Sequence, residues 1–171
     1  MADETPKTPD TPQGDAAADD VPGPRISNIA QYVKDLSFES PNSPQSVIAG
    51  KEAPNGELSI QVKARKLSGD QYEVVMHFEI EGAKGGETAF LVELQYAGVF
   101  AVSGFSDEDH QKALMIECPR LLFPFARRVT ADTVRDGGFP QLMLGAIDFV
   151  QLYRTFVKKN QAEAAAKPAD A

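Results

Sequence analysis

The sequence contains a single cysteine, Cys118, and only two histidines, His77 and His110. One cysteine excludes a disulfide within the chain and is typical of proteins that fold in a reducing compartment. The histidines fall in different predicted elements, and no group of Cys, His and carboxylate residues has the spacing of a metal site. We therefore expect neither a metal nor another cofactor.

Long apolar runs and basic segments are also absent. No stretch approaches the roughly 20 apolar residues of a transmembrane helix. The N-terminus has no basic segment followed by an apolar one, as a secretory signal peptide has. No basic patch of the kind that binds nucleic acid is present either. These absences predict a cytoplasmic protein that neither inserts into membranes nor binds nucleic acid.

Acidic residues are concentrated in the tails. The net charge is −8, and residues 1–24 hold six acidic residues against one lysine. This segment consists mainly of Pro, Ala, Asp and Thr, and it has too few apolar side chains to offset the entropy cost of ordering. We interpret residues 1–24 as a disordered acidic tail, residues 25–160 as one domain, and the Ala-rich residues 161–171 as a second disordered tail.

Four segments alternate between apolar and polar residues, as strands with one buried face do. They are residues 31–40, 57–66, 71–81 and 87–96. Gly98 is expected to mark a bulge or bend after the last of them, before residues 99–102. The short turns that separate the last three segments favour an antiparallel meander.

The C-terminal half has a helical pattern. Ser106 is a suitable N-cap for a short helix over residues 107–117, and apolar spacing predicts a longer helix over residues 119–136. Gly137 is expected to end that helix, and Asp148 to cap a final one. Strands followed by helices predict an α+β fold, a four-stranded antiparallel sheet with helices packed on one side.

No residue pattern indicates catalysis. Cys118 is expected to be a buried structural thiol, because free cysteine is among the most buried residue types. His77 is interpreted as a solvated strand residue. Residues 107–110 are better explained as a helix cap than as metal ligands, and residues 82–86 as a hairpin turn than as a phosphate-binding loop. We expect the protein to act by binding and not as an enzyme.

Features of two segments favour a binding protein. On the outer face of strand 87–96, Leu91 lies beside Glu93, and Asp35 and Glu39 would join them in an acidic patch. An ordinary solvated surface remains an alternative. Residues 139–144 are too apolar for a routine surface loop, so they either pack in the core or line a groove. The sheet offers more surface than the predicted helices cover, which favours an oligomer.

Several blocks of the sequence resemble the SecB family of bacterial protein-export chaperones. The blocks are KDLSFESPNSP (34–44), GETAFLVELQYAGVFAVSG (86–104) and ECPRLLFPFARRVTADTVRDGGFPQLML (117–144). The resemblance implies a cytosolic homotetramer, a dimer of dimers, that binds unfolded preproteins. It implies that the protein keeps these clients competent for translocation and delivers them to the SecA ATPase. It also implies no enzymatic activity and no requirement for a nucleotide.

The resemblance further implies roles for individual residues. The residues that match the SecA-contacting positions of the family are Asp35, Glu39, Leu91 and Glu93. Positions that influence assembly match Val92, Leu94 and Tyr96. The residues expected near an aromatic and aliphatic client groove are Tyr32, Phe38, Phe100, Phe139, Leu142 and Tyr153. Two alternatives remain open: a general holdase for clients that are not exported, such as an antitoxin, and a small-ligand enzyme or carrier.

Overall fold

The structure is a computed structural model that describes residues 23–48 and 55–166. Its elements, in chain order, are β1 (Arg25–Glu39), α1 (Gln45–Ile48), β2 (Asn55–Lys66), β3 (Gln71–Lys84), β4 (Glu87–Ser103), α2 (Asp107–Lys112), a π-helical stretch (Ala113–Glu117), α3 (Cys118–Asp136) and α4 (Phe149–Ala166). Strands precede all the long helices, as the sequence pattern predicts.

The two predicted tails fall largely outside the described residues. Of residues 1–24 only Gly23 and Pro24 are described, and of residues 161–171 only 161–166. Residues 161–166 continue helix α4, so this helix extends beyond the predicted end of the domain. The sequence of this extension is rich in alanine, which has the highest helix propensity of all residues.

The four strands form one antiparallel sheet in the order β1-β4-β3-β2. Strands β2, β3 and β4 form the predicted meander, whereas β1 pairs with β4 at the far edge of the sheet. Both β1 and β2 are therefore edge strands of the single chain. The pairing of β1 with β4 also makes neighbours of residues that are distant in sequence.

The strands are longer than the alternation of residues indicated. Strand β1 begins at Arg25 and β4 continues to Ser103. The predicted hairpin between β3 and β4 is confirmed, and its turn contains Gly85 and Gly86 with φ angles of 62° and 84°. Glycine adopts these positive φ values without the steric cost that other residues have.

The bulge predicted at Gly98 is wrong. Strand β4 pairs with β3 through Gly98 without a shift, and the bulges near it lie in β1, where Ile29 and Lys34 are extra residues. A Cβ atom at Gly98 would lie 2.7 Å from the Phe100 ring and 2.8 Å from Leu122 on α3. The glycine therefore allows the helical layer to pack closely on the sheet.

One face of the sheet is covered by helices and the other is open. The side chains of Val74, Met76, Phe78 and Ile80 on β3 are at most 2% exposed, and α3 packs across this covered face. The alternating positions point to the opposite face, which carries many exposed polar and charged residues. The strict two-residue period of the sequence is thus expressed as a core face and an open face.

Three predicted helix caps, at Ser106, Gly137 and Asp148, are confirmed. The Ser106 hydroxyl accepts a hydrogen bond from the Asp109 amide at 3.3 Å, and a carboxylate oxygen of Asp148 accepts one from the Gln151 amide at 2.9 Å. Gly137 is the C-terminal cap of α3. Among the described helices, none combines the length and the apolar character that a transmembrane span requires.

The two helices predicted before Gly137 form one continuous helical segment. The π-helical stretch joins α2 to α3, and within it the Cys118 amide donates to the Ala113 carbonyl, five residues back. Pro119 follows at once and has no amide hydrogen to donate, so it cannot make a regular helical hydrogen bond. The buried residues of this stretch contact β2 and α4.

A carboxylate on the open face is buried by its own partners. Glu73 on β3 is only 4% exposed. Lys34 donates to one of its oxygens at 2.8 Å and Tyr32 to the same oxygen at 2.5 Å, while Arg65 donates to the other at 2.7 Å. Tyr32 and Lys34 reach over β4, where the residue opposite Tyr32 is the small Ala97. We call Glu73 and these three donors the Glu73 cluster.

The Glu73 cluster favours the charged form of the carboxylate. Hydrogen bonds from Lys34, Tyr32 and Arg65 lower the pKa of Glu73 from 4.5 to about 2. The bond to Glu73 raises the pKa of Tyr32 above its usual value. Because the carboxylate binds its proton less tightly in the folded state, its contribution to stability is complete above pH 4.5. The contribution is lost as the pH falls towards the folded pKa.

Replacing Glu73 by glutamine should therefore destabilise the protein in a pH-dependent way. We expect the free energy of unfolding to fall by about 2–3 kcal/mol at pH 7, less than the full pKa shift implies because Lys34 and Arg65 are partly exposed. The difference from the wild type should shrink by more than half at about pH 3. Chemical denaturation at one fixed protein concentration across this pH range measures it.

The matched control is Glu79→Gln, an exposed carboxylate on the same strand and the same face. This variant should change the free energy of unfolding by no more than about 0.5 kcal/mol. A Glu73→Gln effect that stays constant down to about pH 3 would contradict the assignment of its cause to the charged carboxylate.

Candidate functional site

The register of β1 and β4 brings together the four residues that the sequence assigns to one partner surface. Glu39 lies directly opposite Leu91, and Asp35 and Glu93 follow on the same side of the two strands. All four side chains lie on the open face of the sheet, away from the helices. We call these four residues, Asp35, Glu39, Leu91 and Glu93, the acidic patch.

Three further carboxylates border the acidic patch. Glu79 pairs with Glu93 across β3 and β4, Glu81 pairs with Leu91, and Glu57 on β2 pairs with Glu81. The sequence places them on polar strand faces without showing that they border the patch. Because a register shift lies next to the β3–β4 turn, the cross-strand partners of these residues cannot be deduced by counting residues back from the turn. The negative surface consequently spans all four strands.

The negative charge of this surface is concentrated around an apolar centre. Like charges directly opposite one another, as on Glu79 and Glu93, destabilise the pairing of the two strands. Leu91 is half-buried and lies in a shallow depression that Glu39, Glu79 and Glu93 also line. Such a surface is complementary to a partner that carries basic groups around an apolar side chain.

A second surface is an apolar groove between the edge strand β2 and helix α4. We call it the β2–α4 groove, and its apolar lining consists of Ile60, Val62, Met115, Leu152, Tyr153 and Phe156. Met115 belongs to the π-helical stretch, so this irregular turn supplies one side chain of the groove. Among the described strands, β2 pairs only with β3, which leaves its other edge facing the groove.

The residues predicted near a groove are divided among several places. Tyr153 lines the β2–α4 groove. Leu142 lies near the start of β2, where its side chain would be 3.7 Å from a Cβ atom at Gly56. Residues 139–144 lie partly in the core and partly at the surface, because Phe139 and Leu144 are buried while Met143 is exposed.

Phe38 and Phe139 belong to an aromatic cluster with Phe90. The ring centroids of Phe38 and Phe90 are 6.1 Å apart, and those of Phe90 and Phe139 are 5.1 Å apart. Gly137 packs directly against the Phe38 ring, and a Cβ atom at this position would overlap that ring. The cluster therefore fixes the end of α3 against the ends of β1 and β4.

Phe100 and Tyr32 do not line the β2–α4 groove. Phe100 is fully buried beneath α3, since alternation on β4 points it to the covered face. Tyr32 lies on the open face, where its hydroxyl donates to Glu73. Aromatic character alone indicated a groove for both residues, but the strand register sends them to opposite sides of the sheet.

The three residues that the family resemblance assigns to assembly are buried in the core of the single chain. Val92, Leu94 and Tyr96 are buried on the covered face of β4, and burial raises the pKa of Tyr96. None of the three is available for direct contact with another molecule. Any influence on assembly must pass through the elements that cover them, above all α3.

The β1 edge carries an exposed apolar surface that the sequence did not reveal. Val33 and Leu36 on β1 and Leu121 and Phe125 on α3 are each 41–48% exposed. Leu121 and Phe125 are one helical turn apart, and α3 contacts β1. Leu36 and Val33 pair with the buried Leu94 and Tyr96, respectively. We call these four exposed residues the β1–α3 surface.

The reactive side chains are not brought together. Cys118 is buried as predicted, and burial raises the pKa of its thiol to about 12, so the thiol is protonated at neutral pH. His77 lies on the open face, so the sheet separates it from Cys118, and His110 stacks edge-on against Tyr72. Within residues 23–48 and 55–166, no group of three His, Cys, Asp or Glu residues could hold a metal ion.

The chain is similar to known proteins over most of its length. The family profile described as preprotein translocase subunit SecB matches residues 20–160. The protein-export protein SecB of Maricaulis maris is 46% identical and covers 91% of this chain and 89% of that protein. The protein of the same name from Parvibaculum lavamentivorans is 45% identical, with 91% and 93% covered.

A solved structure has the same fold. It is a SecB-like chaperone of Mycobacterium tuberculosis, determined in complex with a peptide from an antitoxin. It matches with a TM-score of 0.59 at 11% identity and covers 72% of this chain and 88% of that one. The fold, the family profile and the close relatives agree, and the chain belongs to the SecB family of protein-export chaperones.

Proposed function

We propose that this protein is a cytoplasmic chaperone that binds unfolded preproteins, keeps them competent for translocation and delivers them to the SecA ATPase. The observation that carries the proposal is the β1–β4 register, which gathers Asp35, Glu39, Leu91 and Glu93 on one surface. These are the residues that match the SecA-contacting positions of the family. Membership of the SecB family supports the same conclusion.

The β2–α4 groove suits an unfolded client. An unfolded chain presents apolar side chains and extended backbone without a fixed sequence, and an apolar groove beside a free strand edge accepts many such segments. Folded proteins bury such segments, so the groove does not bind folded proteins and no separate selection mechanism is needed. Holding a client in this way requires no covalent step and no nucleotide, and we propose no enzymatic activity.

SecA docking and client holding use different parts of the molecule. The acidic patch is centred on Leu91 on the open face, while the apolar lining of the β2–α4 groove lies at the other edge, beside the helices. A client can therefore remain bound while SecA docks on the acidic patch. This arrangement permits transfer of the client without its release into solution.

The β1–α3 surface suits assembly into a homotetramer, a dimer of dimers. Within the part of the chain that the structure describes, the outer edge of β1 has no strand partner, and four exposed apolar side chains lie on β1 and α3 at this edge. A two-fold axis would let this surface bury its own copy. Val92, Leu94 and Tyr96 would influence assembly by setting the position of α3. Linking several weak client sites in one tetramer raises avidity by about 10²–10⁴.

The central test is titration of the purified protein with an unfolded preprotein and with the C-terminal segment of SecA, together with its native mass. We expect binding of both and the mass of a tetramer. Binding of the preprotein without binding of the SecA segment would favour a holdase for clients that are not exported. A saturable small molecule in place of both would favour a carrier or an enzyme.

Charge reversal in the acidic patch should weaken SecA binding selectively. We expect Glu93→Lys, and separately Leu91→Arg, to weaken binding of SecA by at least about tenfold, because each introduces a cation at the centre of the docking surface. Binding of unfolded client should stay within about twofold of the wild type. Calorimetric titration measures both affinities.

The matched control for the acidic patch is Glu108→Lys. Glu108 is an exposed carboxylate on α2, away from the open face, and its substitution changes the net charge equally. It should leave SecA binding unchanged. The assignment of the docking surface would be wrong if Glu93→Lys and Glu108→Lys had the same effect.

A charge in the β1–α3 surface should break the assembly. Leu36→Glu places a carboxylate among the exposed apolar side chains, and burying it unpaired would cost several kcal/mol. We expect light scattering to show species smaller than a tetramer. Leu67→Glu is the control, because Leu67 is 42% exposed in the turn after β2 and Leu36 is 41% exposed. Tetramers of equal stability in both variants would contradict the proposed interface.

A further inference from the structure

The bulge in β1 lies directly before the acidic patch. Val33 and Asp35 pair with consecutive residues of β4, so Lys34 between them is an extra residue. A bulge interrupts the ladder of backbone hydrogen bonds, so the neighbouring strand holds the chain less firmly there. Among the described strands, β1 also pairs only with β4, so the sheet holds it from one side. Other contacts must therefore fix the conformation of β1 at this point.

The side chain of Lys34 supplies such a contact. Its ammonium group donates to a carboxylate oxygen of Glu73 at 2.8 Å, and it reaches across β4 to β3 to do so. Glu73 is itself fixed, because Tyr32 donates to the same oxygen and Arg65 on β2 donates to the other. Hydrogen bonds between charged groups are stronger than those between neutral ones. The bulge is thus anchored to the middle of the sheet as well as to the neighbouring strand.

The other end of this part of β1 has an anchor of its own. Directly after Glu39, the Ser40 hydroxyl donates to the Ala89 carbonyl at 3.0 Å. The two carboxylates that β1 contributes to the acidic patch therefore lie between two anchors. Asp35 is adjacent to Lys34, and Glu39 is adjacent to Ser40. We expect the position of Asp35 to depend on the Lys34 anchor and that of Glu39 to depend on the other.

We propose that Lys34 is a positioning residue for the docking of SecA. By binding Glu73 it holds the bulge, and the bulge holds the Asp35 carboxylate on the open face, where a basic group of the partner can bind it. A binding site needs supporting residues that lock its contact residues in place, and Lys34 has this role for Asp35. This inference rests on the proposed docking of SecA on the acidic patch and adds a residue that acts on it through another.

The sign of the effect distinguishes positioning from charge. Lys34 is a cation beside an acidic docking surface, so on charge alone its removal would strengthen the binding of a basic partner. If Lys34 holds the bulge, its removal should instead weaken that binding, although the surface becomes more negative. Substitution of Glu73 is less informative, because the loss of a carboxylate weakens the attraction of a basic partner by itself.

The test is calorimetric titration of the full chain with the C-terminal segment of SecA. Lys34→Met keeps a side chain of similar length without the charge, and it should weaken binding by about three- to tenfold. Lys34→Arg should stay within about twofold of the wild type, because a guanidinium group can donate to the same oxygen.

The matched control for charge is Lys63→Met. Lys63 is an exposed lysine of β2 on the open face, so this is the same substitution with the same change in net charge. It removes no contact with the bulge of β1. We expect Lys63→Met to bind the SecA segment at least as tightly as the wild type does.

A double-mutant cycle locates the effect in the acidic patch. In an Asp35→Asn background, Lys34→Met should change the SecA affinity by less than about twofold, because the carboxylate that Lys34 positions is gone. In a Glu39→Gln background the full loss should persist, because Ser40 anchors that end independently. The affinity for an unfolded preprotein and the native mass should match the wild type in Lys34→Met, which a general loss of structure would not allow.

Two results would overturn the inference alone. One is binding of the SecA segment by Lys34→Met that is as tight as in the wild type or tighter. The other is an equal loss in the Asp35→Asn and Glu39→Gln backgrounds, which would indicate a general loosening of β1. Lys34→Gln, which lacks the charge and is shorter, provides the same comparison if Lys34→Met does not fold. Failure of the wild-type protein to bind the SecA segment would overturn the proposed docking together with this inference.

Discussion

The pairing of β1 with β4 is the constraint on which the rest of the molecule depends. It places Glu39 opposite Leu91 and so assembles the acidic patch from two segments that are distant in sequence. It also makes β1 and β2 the two edges of the sheet. One edge is left for the β1–α3 surface and the other for the β2–α4 groove. The sites proposed for partner docking, assembly and client binding are thereby separated by one feature of the topology.

The alternation of residues in the sequence predicts the faces of the strands but not their neighbours. Strands, hairpin and helix caps follow from local patterns, as at Ser106 and Asp148. The position of β1 depends instead on long-range pairing, which leaves no local signal. The same limit explains why Glu79, which pairs with Glu93, was not linked to the acidic patch. Gly98 was misread because its small size serves helix packing and not a bulge.

Residue type alone does not predict where the side chains of the candidate site lie. Of three aromatic residues predicted near a client groove, Tyr153 lines the β2–α4 groove, Phe100 lies in the core and Tyr32 lies on the open face. An aromatic side chain suits all three environments, so only the register decides among them. Glu73 is the opposite case, because it reads as one more polar strand residue. Its burial comes from Lys34 and Arg65, which reach it from two different strands.

The bulge at Lys34 determines which face of the sheet the later residues of β1 occupy. Because Lys34 is an extra residue relative to β4, both Lys34 and Asp35 lie on the open face, one beside Glu73 and the other in the acidic patch. Without the extra residue, strict alternation would turn Asp35 and Glu39 towards the helices. The number of residues in this strand therefore matters as much as their identity. A one-residue insertion or deletion here would turn residues of the open face towards the core.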